Sequence, residues 1–419
     1  MTVERFRVGE GEAGAPAAAA EALRALTPAG VSVSGTVSEI VASVRTRGEQ
    51  ALLEYVERFD GMTSPAASLR VSPEELQAAL DQLDPAVRAG LEIAIANVRA
   101  VAEAGLAEDR EVALPQGQSV TIREVPVRRA AIYTPGGRNP YPSTVVMGVV
   151  TARAAGVDEV VVCAPGGHPV ILAACALCGA DEVWRMGGAH AVAAFAYGTD
   201  SVARVDVIAG PGSLYVQEAK RQVSGDVGID GFAGPSDLLV LASGDADAAL
   251  VAADLLAQAE HGTGTIAALV TDDAALADDV AARLAAEPEG DAATAVVLAS
   301  SIAEGLAVSE AFAPEHLELV GAGAEAVVDQ VRAAGCVFVG RESGTAFGDY
   351  VAGSNHTLPT GGAARFTSGL STRQFRRRMS VVRIAGAADA LARAGVPIAE
   401  AEGFTRHAES MRVRENPSG

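Results

Sequence analysis

Apolar positions along the chain change their period at about residue 129. Before that point they recur every three or four residues. In "TVSEIVASVRTRGEQALLEYVERFDG", Ile40, Val41, Val44, Leu52, Leu53 and Val56 make one helical stripe that Thr36 can cap. The stretch "SPEELQAALDQLDPAVRAGLEIAIANVRAVAEAG" continues the pattern, with Ser72 as N-cap and Pro73 at the first helical position. From Arg129 the rhythm becomes a β-branched run, a glycine turn and a helix, as in "RAAIYTPGG", "DEVVVCAPGG", "DEVWRMGG" and "VDVIAGPG". A second series starts at "DLLVLASGDADAALVAADLLAQAEHG" and continues through "TIAALVTDD", "LELVGAG" and "CVFVG". This alternation predicts parallel strands joined by crossover helices.

The expected fold class is therefore α/β, with two incomplete, doubly wound, Rossmann-like lobes of parallel sheet. A helical N-terminal arm (1–25) precedes a first lobe (26–129 plus 238–368) that carries the motifs described below. A second lobe (130–237) holds the looser glycine turns, with the seam near "GIDGFAGPSD". A small C-terminal tail domain (369–419) follows, too short to bury much surface alone, so it is expected to dock on its own lobe or on a partner subunit. In that tail Arg376, Arg377 and Arg378 are expected on a helix beside Met379, before a short strand "SVVRIAG".

Composition narrows the function. A net charge of −21 over 419 residues argues against nucleic acid and anionic lipid, whose binding needs clustered basic side chains. The N-terminus lacks a signal-peptide core, and Gly, Pro or charge interrupts every later apolar run before membrane-spanning length, so a soluble, cytoplasmic protein is expected. The four cysteines are too few and scattered for a disulfide framework. Cys175 and Cys178 form a CxxC inside the apolar run "VILAACALCGA", which reads as a core helix rather than a redox or metal motif.

Candidate chemistry gathers around the six histidines. In "AADLLAQAEHG", Gln258 and His261 are spaced i, i+3 at a helix end that Gly262 closes, where the macrodipole favours a cation. Taken alone the pair reads as a capping or surface feature rather than a metal site, because Gln is a poor ligand beside Asp or Cys. "FAPEHLEL" sets Glu315 beside His316 after Pro314, the pattern of a helix first turn, with the two side chains about 100° apart and able to serve different atoms of one substrate. "GDYVAGSNHTLPTGG" packs Asp349, Asn355 and His356 into a polar loop. Glu402 and His407 stand near the C-terminus. An Asp, two His and a Gln make a four-donor N/O set suited to Zn²⁺. A GxGxxG fingerprint is absent, although "YTPGGRNPYPST", "MGGAHAVAAF" and "AGPGSLYVQEAK" open helices behind glycines that can take pyrophosphate.

Taken in order, "VDVIAGPG", "GIDGFAGPSD", "DLLAQAEHG", "FAPEHLEL" and "GDYVAGSNHTLPTGGAARFTSGLS" resemble the histidinol dehydrogenase family, from about residue 35 to the C-terminus. The resemblance implies a zinc- and NAD-dependent, four-electron oxidation of L-histidinol through L-histidinal to L-histidine, the last steps of histidine biosynthesis. By it, Gln258, His261, Asp349 and His407 would hold one Zn²⁺ per subunit. Glu315 would activate water, and neutral His316 would act as base. Ser236, His356 and Glu402, together with the metal ligands and His316, would contact substrate; Tyr133, His190 and Ser213 would contact the nucleotide. The resemblance also implies a domain-swapped homodimer in which His407 and Glu402 of the tail, and also His356, complete the partner's site.

Two nucleotide positions depart from the family, "GGAH" for "GGAQ" at His190 and "GPGS" for "GPGN" at Ser213; "QAEHG" also stands where "QAEHD" is usual. Both nucleotide positions keep a hydrogen-bonding side chain. The alternatives are a paralogue oxidising another small polar alcohol such as a sulfonated diol, a zinc hydrolase, and a silent ligand-binding relative, against which the retained Glu315 and His316 count.

Overall fold

The computed structural model describes residues 1–9, 15–27, 32–62, 69–136, 139–232 and 234–415. Residues 10–14 of the expected arm, Gly137 and Arg138 in the turn "YTPGGRNPYPST", and Ala233 at the expected seam lie outside them. Two compact units are present, one of residues 1–105 and 128–375, the other of 106–127 and 376–419.

The larger unit is α/β and holds two all-parallel sheets among the described residues. The first orders its strands Val3–Arg7, Ala293–Leu298, Ile266–Thr271, Asp237–Ala242, His316–Val320 and Cys336–Val339. The second orders Glu182–Trp184, Glu159–Cys163, Arg129–Tyr133, Val207–Ala209 and Gly228–Ile229. Central strands such as Asp237–Ala242 and Ile266–Thr271 are buried along their whole length, which is why they read as near-continuous apolar runs rather than alternating ones. Each sheet switches direction beside its first central strand. From Asp237–Ala242 the chain winds outward through 266–271 and 293–298, then returns to place 316–320 on the opposite side.

The expected lobe boundaries need correction. Residues 34–60 do not join the first sheet. The apolar stripe of Val37, Ile40, Val41, Val44, Leu52 and Val56 packs on the second, in one core with Ala131, Val161, Val192 and Phe195. Periodicity defines an apolar stripe but not the surface that it will meet, and here the nearest surface in space lies beyond it in sequence. The arm is not separate either. Val3–Arg7 is an edge strand of the first sheet, and Leu23 of helix Ala15–Ala25 is buried in the core of that sheet with Phe312. Helix Ser34–Arg47 starts without a side-chain cap, so Thr36 is not its N-cap. Ser72 does cap Pro73–Asp81, in a reciprocal box with Glu75.

In the smaller unit, Arg376–Arg383 is a strand, not the expected helix, and pairs antiparallel along all eight residues with Ser119–Pro126. The local run of arginines carries no period that decides between the two. The distant partner strand does, and Glu124 receives Arg378 at 2.7 Å. Helices Ala388–Ala401 and Thr405–Arg412 share a small core of Ala392, Val396, Ala399 and Ala408. The tail thus begins at 376 and draws its sheet partners from 106–127.

Among the described residues no helix is long and apolar enough to cross a membrane. Cys175 and Cys178 are buried in helix Pro169–Cys178, and burial pushes both thiols up, Cys178 to about 12, which keeps them protonated and inert. If the helical section belongs to the second sheet's core, Leu52→Ala will lower unfolding stability by about 3 kcal/mol in urea denaturation, the cost of a buried cavity; a loss near that of a surface substitution refutes this packing.

Candidate active site

The candidate residues of the larger unit meet at the amino-terminal edge of the first sheet, not at the carboxyl ends where α/β ligands usually bind. Asp237 and His316 are the first residues of neighbouring strands, and in register His316 stands beside Leu238. The expected helix at "PEHLEL" is instead this strand. Ala313, at a φ of +51°, closes helix Ile302–Phe312, and His316–Val320 is buried between two parallel neighbours that supply its hydrogen bonds. Glu315 and His316 therefore diverge as strand neighbours do, rather than by a helical 100°.

Two reciprocal bonds lock the strand starts together. The Glu315 N–H donates to Asp237 Oδ1 at 2.7 Å, and the Asp237 N–H donates to Glu315 Oε2 at 3.0 Å. Asp237, 1% exposed, pairs through its other oxygen with Arg24 at 2.6 Å, and that guanidinium stacks on Phe312 at 3.6 Å while donating to the Phe312 carbonyl. A residue of the expected arm thus neutralises the carboxylate behind the site.

From Glu315 a relay runs outward. Ser236 Oγ donates to Glu315 Oε2 at 2.6 Å and accepts from Gln258 Nε2 at 2.7 Å. Because the serine spends its one proton on the carboxylate, the amide must turn Nε2 toward it, which leaves Oε1 as the donor atom for a cation. Gln258 lies in the last turn of Ala248–Ala259, and His261 falls just past the helix end, before Gly262 at a φ of +83°. The His261 Nδ1 N–H donates to the Gln258 carbonyl at 3.0 Å, the tautomer that leaves the Nε2 lone pair free for a metal. Asp349 ends the short helix Thr345–Tyr350, and its carboxylate lies 3.6 Å from His316 Nε2.

The electrostatics follow from burial and charge. Burial pushes Glu315 up to about 7, against the opposing pull of His316. Burial by itself would lower His316, but Asp349 and Glu315 outweigh it and raise His316 to about 9. In turn burial would raise Asp349, yet His316, with smaller contributions from His356 and His261, holds it below the usual carboxylate range. Of the groups facing His316, Asp349 raises it most.

Among the described residues no three His, Cys, Asp or Glu side chains form a ready metal cluster. Two such groups, His261 and Asp349, with the Gln258 amide, offer three N/O donors from this unit, a set that fits a divalent cation needing at least one further ligand. His407 and Glu402 belong to the smaller unit, where both are exposed and line a hollow with Ile398 and Met411; the His407 ring lies 5.1 Å from that of Phe404. His356 Nε2 lies 3.2 Å from Ser143 Oγ, while neighbouring Asn355 donates to the Met147 carbonyl, so the expected polar loop is tied to the second lobe.

The nucleotide candidates sit at the carboxyl ends of the second sheet. Tyr133 ends its strand, and its hydroxyl takes the Gly188 N–H at 2.9 Å. His190 is 1% exposed, with Nε2 3.0 Å from Asp60, which also takes the Gly187 N–H. The ring therefore braces the glycine turn through Asp60. The Gly210 N–H is likewise used, by Asp230, which pairs with buried Lys220. Ser213 precedes helix Leu214–Val223 without capping it and is exposed. Sequence reasoning missed Arg24, Asp237, Asp60 and the Lys220–Asp230 pair. The legible signal was a charge set in an apolar run, as in "DLLVLA".

The model of the histidinol dehydrogenase family matches residues 27–415. The chain is 47% identical to histidinol dehydrogenase of Nocardia farcinica, covering 94% of this chain and 95% of that one, and 44% identical to that of Streptomyces avermitilis, covering 94% of both. It is also similar to the crystal structure of histidinol dehydrogenase from Elizabethkingia anophelis, with a TM-score of 0.91 at 28% identity over 98% of each chain. If Arg24 neutralises buried Asp237, Arg24→Met will cost about 3 kcal/mol of stability in urea denaturation, the penalty of an unpaired buried charge; a change inside the error of the method overturns that pairing.

Proposed function

Because the chain belongs to the histidinol dehydrogenase family, we propose that it oxidises L-histidinol through L-histidinal to L-histidine with two NAD⁺. The observation that carries this reading is the chain of contacts at the edge where the His316 strand begins: Gln258 bonds Ser236, which bonds Glu315, His261 bonds the Gln258 carbonyl, and Asp349, 3.6 Å from His316, is also held down by His261. The set fits Zn²⁺, which Gln258, His261 and Asp349 would hold together with His407 from the second copy of a domain-swapped homodimer. When bound, Zn²⁺ supplies an anchor for the imidazole and amine of the substrate and orients its carbinol carbon.

The chain's own residues do the proton work. The Asp237 carbonyl holds His316 Nδ1 at 3.3 Å and aims Nε2 toward the side where Asp349 stands. Asp349 is the group that raises His316 most, so a cation held by that carboxylate would weaken its pull and leave the imidazole freer to act as a base. It then takes the hydroxyl proton as hydride leaves for NAD⁺, giving the aldehyde. Glu315, poised near pH 7, takes a proton from water as the oxygen attacks that aldehyde. His316, having returned its first proton to the carbonyl oxygen as the water attacks, takes a hydrate proton as the second hydride leaves, giving the carboxylic acid, which then ionises. Ser236, His356 and Glu402 are assigned to substrate, with Glu402 and His356 also from the second copy. Tyr133 and Ser213 are assigned to the nucleotide, and His190 serves it indirectly through the Asp60-braced turn.

Anaerobic turnover of L-histidinol with counted NADH tests the reading. Two NADH per substrate are expected, whereas turnover of dihydroxypropanesulfonate alone favours the paralogue. In a second experiment, metal analysis should find Zn²⁺ lost from His261→Asn and His407→Asn but kept by His316→Asn, whose turnover falls by several orders of magnitude. Equal zinc loss in all three refutes the division of roles.

A further inference from the structure

Two carboxyls behind the site have no part in the mechanism above. Glu318, two residues along the strand from His316, is 1% exposed. Its Oε1 accepts from the Thr345 N–H at 2.7 Å and from the Thr345 hydroxyl, while Oε2 meets no N–H or O–H donor. The group within hydrogen-bonding reach of this side chain is the carboxyl of Asp254, one helical turn before Gln258. Space around the pair is tight. A Cβ on Gly344, the residue before Thr345, would lie 2.7 Å from Asp254 Oδ1.

Two ionised carboxylates cannot remain in contact where water is excluded, and a hydrogen bond between two carboxyls needs one proton. We propose that Asp254 and Glu318 share a single proton, and that this acid–carboxylate bond is a positioning element of the active site. It joins the helix whose last turn holds Gln258, the strand that begins with His316, and, through Thr345, the short helix that carries Asp349. Burial and the facing Asp254 push Glu318 upward, and burial pushes Asp254 upward; His316, the other charged group acting on Glu318, works in the opposite sense. The positioning role rests on the function proposed above. The sharing of the proton does not.

The test uses the full chain free of metal and substrate, with ¹³C-labelled Asp and Glu, and reads the carboxylic-acid C=O stretch by infrared spectroscopy. Glu318→Gln and Asp254→Asn each replace the shared proton by an amide N–H, so each alone should abolish the same acid band as the remaining carboxyl ionises. Survival of that band in either variant overturns the sharing. Zn²⁺ affinity reads positioning. Glu318→Ala should weaken it about 10- to 100-fold, the usual cost of losing an outer-sphere partner, while Glu318→Gln, which can still bond both neighbours, should stay near the parent. Equal weakening in both, or none in the alanine variant, overturns the positioning role. A parent chain that takes up no Zn²⁺ and turns over no L-histidinol sinks the functional reading and the positioning role together, and leaves the infrared result to decide the proton.

Discussion

The site depends on the reciprocal bonding of Asp237 and Glu315. Each residue donates its backbone N–H to the other's carboxylate, so two adjacent strand starts are held in one register. Everything chemical hangs from that pair. Glu315 Oε2 orients Ser236, Ser236 orients the Gln258 amide, the Gln258 carbonyl orients His261, and the Asp237 carbonyl orients His316. A single backbone constraint thereby sets the direction of four side chains.

Placing these groups at the amino edge of a parallel sheet has an electrostatic logic. The crossover helices that follow the strands return to this edge, so it receives their C-termini, where exposed carbonyls favour positive charge. Gln258 and Asp349 each lie in such a last turn. The second sheet presents the opposite end. Tyr133 and Ser213 stand where strands lead into helix N-termini, surroundings that favour an anion. The two sheets thus present opposite edges, one suited by its helix C-termini to a cation and the other by its helix N-termini to an anion.

The buried acid groups sort by what surrounds them. Asp237 is matched by Arg24, Asp230 by Lys220, and Glu315 by hydrogen-bond donors that partly offset its burial. Glu318 meets another carboxyl and the Thr345 donors, with only a weaker pull from His316 among its charged neighbours in the described residues. That difference marks the Asp254–Glu318 pair as one in which a proton must take the place of a cation.

Much of the site was legible along the chain, because the chemistry needs residue types that are scarce elsewhere. Gln258, His261, Glu315, His316 and Asp349 stand out as polar groups at the ends of apolar runs, and the alternation after Arg129 specified parallel sheets. Which surface each apolar stripe would meet was not legible. Helix 34–47 joined the second sheet's core, and the arginines at 376–378 became a strand because residues 119–126 offered a ladder. The same holds for "PEHLEL", whose prolyl turn suits a helix until two neighbouring strands claim its backbone bonds. Local sequence determines where polarity and turns fall, since these depend on a few adjacent side chains. Partner choice and protonation depend on groups brought together from distant parts of the chain, 213 residues apart for Arg24 and Asp237 and 79 for Ser236 and Glu315, and only the folded chain decides them.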